Sequence, residues 1–201
     1  MSENNLRLAV LIGSVREGRF GPVVARWFAE QAAQHGRFTV DVVDLADITP
    51  LPLELPAVPP ALQPAMDRPA GMAELTQRLE AADAIVVVTP DYNRSFPASL
   101  KAAIDWHYTE WQAKAIGFVG YSGASGGLLA IEQLRQVFNE LHAHTVRDYV
   151  SFPRYYELFA PDGTLRDPEG PSGAAKVLLD QLEWWATALG EARRARPLLT
   201  A

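Results

Sequence analysis

Short apolar runs alternate with longer amphipathic segments along the chain. Five apolar runs predict β-strands, at residues 7–12, 39–44, 84–89, 115–121 and 145–151. The first, third and fourth runs are almost continuously apolar, as expected for strands buried on both faces. The amphipathic segments predict helices at residues 23–35, 72–82, 97–108, 128–142 and 173–192. This alternation predicts an α/β fold with a parallel sheet and right-handed crossovers.

Prolines mark the boundaries of several predicted elements. Pro22 and Pro97 suit the first turn of a helix, where the missing N–H costs nothing, and Ser95 is placed to cap the second of these helices. Seven of the 15 prolines fall within residues 50–69, so this segment is not a regular element. We interpret it as a surface loop, as a wall or lid over a ligand, or as an arm that clasps a second subunit.

Composition limits the classes of function that fit this chain. With 201 residues and 48% hydrophobic content, one domain over residues 1–201 is expected. A net charge of −6 without a basic run argues against nucleic acid or an anionic membrane as a partner. There is no cysteine, so any redox chemistry requires a bound cofactor. No signal peptide and no membrane-spanning run is recognised, and we therefore expect a cytoplasmic protein.

The turn after the first predicted strand has the composition of a phosphate site. Residues 13–22 combine glycines, the Ser14 hydroxyl, and the guanidinium groups of Arg16 and Arg19, and a helix follows. Glycines allow successive N–H groups to converge on an anion, and arginines offer planar forks to its oxygens. A helix start adds positive potential. The turn lacks the glycine patterns of dinucleotide folds and of nucleoside triphosphatases, which argues against both.

Two more loops follow predicted strands at the same edge of the sheet. Residues 89–97 place a rigid proline before polar and aromatic groups, so their amides suit the edge of a planar heterocycle that Tyr92 or Phe96 walls. Residues 122–127 carry three glycines, which allow a backbone to approach a ligand closely. Because ligands of open parallel sheets bind outside the carboxyl ends of the strands, we expect the three loops to converge on one ligand.

At these residues the chain resembles the NADPH-dependent FMN reductase family, which includes chromate, quinone and azo-dye reductases. The resemblance covers roughly residues 6–150 and rests on three pieces. They are residues 13–16, residues 89–97 with 100–106, and residues 116–123 with 126–127. The resemblance implies a flavodoxin-like three-layer sandwich with a five-stranded parallel sheet in the order 2-1-3-4-5. It also implies FMN as cofactor and NADPH as reductant.

The resemblance assigns a role to each loop of the predicted site. The first loop would hold the FMN phosphate through Ser14, Arg16, Arg19, Phe20, Gly21, Pro22 and Val23. The second would line the isoalloxazine through Pro90, Asp91, Tyr92, Asn93 and Arg94. The third would contact its pyrimidine side or the ribityl chain through Ser122 and Gly123.

The chain departs from the family pattern at four of these positions or their neighbours. The family commonly has Glu in place of Asp91, Ser and Asn in place of Arg19 and Gly21, and Asn in place of Ala102. Asp91 keeps the charge on a shorter arm, and Arg19 compensates for the lost hydroxyl. Substrate preference is the property that these departures leave open.

The implied reaction passes hydride from NADPH to FMN and then electrons to a flavin, quinone or similar small-molecule acceptor. The cofactor carries this chemistry, so no catalytic side chain and no metal site is assigned. NADPH is preferred over NADH if Arg19 or Arg94 meets the 2′-phosphate. We interpret His107 as a packed or interface residue, and the family resemblance with the aromatic cluster at residues 106–111 favours a homodimer or tetramer.

Three other functions are alternatives to this one. A flavodoxin-type electron carrier is usually shorter, with a phosphate loop rich in Thr and Ser and without an arginine pair. A flavin reductase component that supplies a monooxygenase is not separable from a quinone reductase by sequence. A phospho-receiver domain needs acidic residues where the first strand ends, and here Ile12 and Gly13 stand there.

Overall fold

A parallel sheet forms the centre of the protein, shown here in a computed structural model that describes residues 5–48, 51–196 and 198. Its strands are β1 (Leu6–Ile12), β2 (Phe38–Asp44), β3 (Ala84–Pro90), β4 (Ala115–Ser122), β5 (His144–Thr145) and β6 (Val150–Pro153). The order is β2-β1-β3-β4-β5, with β6 also paired to β4, and every pairing is parallel. The predicted parallel sheet and its strand order are confirmed.

The edge strand beside β4 is interrupted. The prediction of one strand at residues 145–151 is corrected to two short strands, β5 and β6, in the same position. Between them, the Arg135 guanidinium donates to the carbonyls of Val146 and Arg147 at 2.7 and 2.8 Å, and Gln181 bonds to Asp148. Side chains therefore satisfy backbone groups that a continuous strand would direct to β4.

Helices cover both faces of the sheet. They are α1 (Gly21–His35), α2 (Ala70–Ala81), α3 (Ala98–Asp105), α4 (Leu128–Glu140), α5 (Tyr155–Leu158) and α6 (Glu169–Ala195). Alternate residues of β1 point to opposite faces: Leu8, Val10 and Ile12 pack with α1 and α6, whereas Ala9 and Leu11 pack with α2, α3 and α4. This two-residue period gives the predicted three layers.

The short helix α5 is the one element of this set that the sequence pattern did not predict. It has four residues and begins after Arg154, whose φ of 49° turns the chain out of β6. With so few residues, it carries no amphipathic period to detect.

The proline-rich segment contains no helix or strand over residues 51–69, as its composition predicts; Pro50 lies outside the described residues. Its base is anchored because Leu51 and Met66 pack on the core and Arg68 forms an ion pair with Glu110. Leu53 and Leu62 are exposed. None of the helices within the described ranges has the length and hydropathy that a bilayer span requires.

The predicted role of Ser95 as a helix cap is wrong. Helix α3 begins after Pro97 without a side-chain cap, and the Ser95 hydroxyl instead donates to Oε1 of Gln133 at 2.6 Å. The hydroxyl bonds to the side-chain amide of Gln133 on α4 instead of to the backbone of α3. The sequence of residues 95–98 does not reveal this partner. Pro22, by contrast, lies in the first turn of α1 as predicted.

Candidate functional site

The loops that follow β1, β3 and β4 meet around a cavity of about 340 Å³, which we call the cradle. Its volume lies in the range of small-molecule sites. A segment after β6 completes the wall. The lining residues are Arg16, Glu17, Gly18, Arg19, Pro90, Asp91, Tyr92, Tyr121, Ser122, Gly123 and Tyr155.

The turn between β1 and α1, which lines the cradle, contains backbone donors without a protein partner. Among the described residues, no protein acceptor is found for the N–H groups of Arg16, Glu17, Gly18 and Phe20. Gly18 has a φ of 68°, a conformation that side chains disfavour, and its Cβ position faces open space. Helix α1 begins without a side-chain cap. This combination of free amides and a helix start attracts an anion.

Two buried side-chain donors beside this turn have no hydrogen-bond partner within the described part of the chain: the Tyr121 hydroxyl and Nε of Arg19. Tyr121 is 3% exposed, and its hydroxyl lies 3.1 Å from the position that a Cβ on Gly21 would take. Burial, with Tyr92 and Tyr155 nearby, raises the pKa of Tyr121 against the opposing effects of Arg19 and the Ser14 hydroxyl, so its phenol stays protonated. An unsatisfied buried donor is costly, and two adjoining ones indicate an acceptor that a ligand supplies.

Arg19 is not free to offer a planar fork, which corrects the expectation from the sequence. Its Nη2 forms an ion pair with Oδ2 of Asp44, the last residue of β2. The other carboxylate oxygen of Asp44 accepts the N–H of Ala46 at 3.0 Å. Because β2 lies directly beside β1, Asp44 holds the guanidinium in place and leaves Nε without a protein partner. Arg16 is exposed at the rim.

Ser14 lies beneath the cradle rather than in its wall. The side chain is fully buried, and its hydroxyl is 2.6 Å from the Tyr92 hydroxyl. In the neighbouring residue of the same loop, the carbonyl of Gly13 accepts a hydrogen bond from the Ser99 hydroxyl of α3 at 2.7 Å. The first two loops are therefore tied together by hydroxyl groups at their base.

The second loop forms a tight turn that α4 holds. Tyr92 and Ser95 exchange backbone hydrogen bonds of 2.7 and 3.1 Å, and Asn93 and Arg94 between them have φ values of 51° and 71°. Two successive positive φ values characterise a type I′ turn, which disfavours a residue such as Arg. Gln133 accepts from Ser95 and donates to the carbonyl of Arg94 at 2.7 Å. The side chains of Asn93 and Arg94 are exposed and do not line the cradle, contrary to the expectation for these two residues.

Asp91 uses its carboxylate inside the protein. One oxygen accepts the N–H of Ala130, in the first turn of α4, at 2.8 Å, and the other accepts the Ser125 hydroxyl. The charge of Asp91 thus caps α4, whereas the start of α1 at the same edge of the sheet has no side-chain cap. Of the two helix starts, the one at the β1 loop remains available to an anion.

Only part of the glycine-rich third loop approaches the cradle. A side chain on Gly127 would collide with the backbone of Gly120, and one on Gly126 would collide with Ser151. These two glycines therefore allow the loop to pack on β4 and β6. Gly123 has open space at its Cβ position and lines the cradle with Ser122, whereas the predicted contact of both residues with a flavin stays a prediction.

Two residues predicted to contribute to the first loop direct their side chains elsewhere. Phe20 and Val23 line a neighbouring cavity, so they face the cradle at most through the backbone. The reason for Phe20 is aromatic packing, with ring centroids 4.7 Å from Tyr155 and 5.1 Å from Phe159. Gly21 and Pro22 form the first turn of α1.

Sequence reasoning missed four residues of the cradle: Glu17, Gly18, Tyr121 and Tyr155. Tyr121 carries a detectable signal, because it places a hydroxyl in an otherwise apolar buried strand. Tyr155 carries none, since its position depends on the break between β5 and β6.

His107 is a packed residue, as predicted. It is 1% exposed, its Nδ1 lies 2.7 Å from the carbonyl of Ala103, and its Nε2 lies 3.0 Å from the Thr76 hydroxyl. Burial lowers the pKa of His107. Among the residues that the structure describes, no cluster of three metal-ligating side chains is found.

Comparisons with known proteins find similarity over much of the chain. Residues 6–157 match the family described as NADPH-dependent FMN reductase. The chain is 36% identical to an NAD(P)H-dependent FMN reductase of Schizosaccharomyces pombe over 135 residues, which are 65% of this chain and 64% of that one. It is 38% identical to a quinone reductase of Escherichia coli over 106 residues, 53% of this chain and 52% of that one.

A solved structure shows the same fold. The flavoenzyme FerB, an NAD(P)H:acceptor oxidoreductase of Paracoccus denitrificans, superposes with a TM-score of 0.70 at 24% identity. The superposition covers 91% of this chain and 98% of FerB. At this identity the similarity establishes the flavodoxin-like fold.

Proposed function

The chain belongs to the NADPH-dependent FMN reductase family, a family of flavin-dependent oxidoreductases, and from that premise we propose that it binds FMN in the cradle and oxidises NADPH or NADH. The observation that carries this proposal is the pair of buried donors without partners, the Tyr121 hydroxyl and Arg19 Nε. A phosphate monoester accepts several hydrogen bonds and a negative charge suits the start of α1.

The residues at the β1 end of the cradle fit the FMN phosphate. Free amides of residues 16–18 and 20, Tyr121, Arg19 Nε and the exposed Arg16 together supply neutral and charged donors. Asp44 balances the charge of Arg19, so Arg16 is the cation that balances the phosphate. Ser14 acts one layer below by holding Tyr92.

The opposite end of the cradle fits the flavin ring. Pro90 and Tyr92 form one wall, and Ser122 and Gly123 form another, where the open Cβ side of Gly123 admits a flat ligand. Tyr155 closes the side next to β6. Asn93 and Arg94 contribute through the backbone of their turn, which Gln133 fixes.

Bound FMN supplies the hydride and electron chemistry. The chain supplies binding and orientation: rigid strand ends hold Pro90 and Ser122, and the tyrosine rings exclude water from the cavity walls. No side chain at the cradle is required as a general acid or base, and burial raises the pKa of Tyr121, which keeps that group a donor rather than a base.

We also propose small-molecule electron acceptors for this protein, in the class of quinones and free flavins. The relative from Escherichia coli is named a quinone reductase, which supports this choice. A cytoplasmic location and a homodimer or tetramer complete the proposal; the acidic, cysteine-free composition and the exposed apolar residues of the proline-rich segment support them.

Anaerobic reduction tests the proposed function. The purified protein is loaded with FMN, freed of excess cofactor and mixed with NADPH without oxygen, and the oxidised flavin absorbance is followed. We expect the band to bleach on NADPH addition and to return when a benzoquinone is added, with turnover at catalytic protein concentration. A protein that holds FMN but is not reduced by NADPH or NADH would instead be an electron carrier.

A further inference from the structure

A second cavity of about 340 Å³ adjoins the cradle, with Tyr155 in the walls of both. Three further aromatic rings, of Phe20, Tyr156 and Phe159, line it, and Asp162 and Arg166 stand at its rim. We call it the aromatic cavity. The function proposed above gives this space no occupant.

The aromatic cavity has a rigid floor and one exposed ring. Phe20 packs at 4.7 Å from Tyr155 and at 5.1 Å from Phe159, which is buried. Tyr156 stands nearly perpendicular to Tyr155, at 5.6 Å and 75°, and is 60% exposed. An exposed aromatic ring over an aromatic floor suits the stacking of a planar heterocycle such as a nucleobase.

Arg166 is the available cation at this cavity. Its side chain is exposed and makes no close ion pair within the described residues, and its positive charge contributes to the lowered pKa of Asp162 at the same cavity. The nearby charges are already engaged: Asp162 accepts the N–H and hydroxyl of Thr164 at 3.0 and 2.7 Å, and Arg154 pairs with Glu157. An exposed guanidinium beside a base-sized cavity, whose neighbouring carboxylate is already hydrogen-bonded to Thr164, is suited to a phosphate group.

We propose that the aromatic cavity binds the adenosine end of NADPH, with Tyr156 against adenine and Arg166 on the 2′-phosphate. The inference rests on the proposed function, since the nicotinamide of the same molecule must reach the cradle across Tyr155. It reassigns the 2′-phosphate, because Arg19 is committed to Asp44 and Arg94 lies on a turn outside both cavities. The chain therefore prefers NADPH to NADH through a residue beyond β6.

Adenosine 2′,5′-bisphosphate and AMP are the probes that test this cavity. Both are titrated calorimetrically into the FMN-loaded protein, and both are tested as inhibitors of NADPH oxidation. We expect the bisphosphate to bind about tenfold more tightly than AMP and to compete with NADPH without displacing FMN. Equal binding of the two probes overturns the role of Arg166, and the absence of competition overturns the site.

Substitutions separate the two contacts. Arg166→Gln should raise KM for NADPH about tenfold and leave KM for NADH and kcat unchanged, whereas Tyr156→Ala should raise KM for both reductants. The matched controls are Arg147→Gln, an arginine that is 90% exposed, and Trp184→Ala, an aromatic residue exposed on α6. Controls that shift KM as much as the test variants contradict the proposal.

The outcome distinguishes this inference from the proposed function. If the wild-type protein oxidises NADPH but binds no bisphosphate, the aromatic cavity is not the adenosine site and the reductase function stands. If the protein binds the bisphosphate through Arg166 but is not reduced by NADPH, the site stands and the reductase function fails. Probe binding to the wild-type protein needs no variant to fold.

Discussion

Two regions of this protein bury polar side chains and differ in how these side chains are hydrogen-bonded. In the cluster formed by Arg68, Glu110 and Lys114, the buried groups are engaged: Arg68 donates to Glu110 at 2.9 Å and to the carbonyl of Trp106 at 3.1 Å. The second carboxylate oxygen of Glu110 accepts the N–H of Tyr108, and Lys114 donates to the carbonyls of Leu79 and Glu80. In the cradle, the Tyr121 hydroxyl and Arg19 Nε have no partner in the described chain.

This difference indicates that the first region stabilises the fold and that the second binds a ligand. A buried polar group that lacks a partner is costly, and the two in the cradle adjoin a cavity from which a ligand can satisfy them. The Arg68–Glu110–Lys114 cluster joins the proline-rich segment, α2 and the loop before β4, and its three charged side chains all bond within the protein. Breaking the cluster should change stability, whereas altering the cradle donors should change cofactor affinity.

The largest expected effect comes from Glu110→Gln, which removes the counter-charge of Arg68 inside the protein. Both side chains are almost fully buried, at 7% and 2% exposure. Breaking a buried pair on one side costs about 3–5 kcal/mol, since the remaining charge stays desolvated. Chemical denaturation should show a loss of this size in the free energy of unfolding.

Glu157→Gln is the matched control for that experiment. Glu157 pairs with Arg154 at the surface, and removing an exposed pair should cost less than about 1 kcal/mol. Equal losses in the two variants would show that the buried network contributes no more than a surface pair.

A pH-dependent effect of about 3 kcal/mol is expected from Lys114. Burial, with Arg193 nearby, lowers the pKa of Lys114 from 10.5 to about 8. Between these two pH values the folded chain binds fewer protons than the unfolded chain, so stability from this group rises with pH and is lost as pH falls from 10.5 to 8. The free energy of unfolding of the wild type relative to Lys114→Met should therefore increase from pH 8 to 10.5. A difference between wild type and variant that stays constant from pH 8 to 10.5 would contradict a lowered pKa of Lys114.

Tyr121→Phe should act with opposite signs on stability and affinity. Removing a buried hydroxyl without a partner should leave the unfolding free energy of the cofactor-free protein unchanged or raise it by up to about 1 kcal/mol. The same variant should bind FMN more weakly by about 2 kcal/mol, because it loses a hydrogen bond to a charged group. Parallel fluorescence titration and denaturation measure both. A stability loss with unchanged FMN affinity would place Tyr121 in the architecture instead.

The smallest effect is expected from Gln133→Leu, at the rim of the cradle. Its hydrogen bonds to Ser95 and Arg94 are exposed, so their loss should lower the unfolding free energy by about 1 kcal/mol and slow flavin reduction by relaxing the turn. Gln136→Leu, an exposed position on the same helix, is the control and should change neither. Equal reduction rates in both variants would show that the turn needs no support from α4.

The layers of the fold can be predicted from the sequence, because the spacing of apolar residues within each segment shows which elements are strands and which are helices. The almost continuously apolar runs that became β1, β3 and β4 identify central strands, and Pro22 marks the start of α1. The interruption between β5 and β6 does not follow, because it depends on a side-chain contact from Arg135 of α4 to the carbonyl of Val146, which hydrophobic patterning does not encode.

The candidate site divides in the same way. Loop composition predicts which strand ends converge, and Arg16, Pro90, Tyr92 and Gly123 line the cradle that these ends form. The direction of a side chain, by contrast, depends on partners that are distant in sequence. Arg19 forms an ion pair with Asp44, and the Phe20 ring packs on Tyr155. Which predicted residues touch FMN stays a prediction until a titration tests it.

The comparison of FMN with riboflavin tests the central claim most directly, since the two differ only by the phosphate that the cradle donors are proposed to hold. Fluorescence titration of the cofactor-free protein should give an affinity for FMN at least about 100-fold higher than for riboflavin, which corresponds to about 3 kcal/mol for a charged, multiply bonded group. Equal affinities for the two flavins would contradict the account.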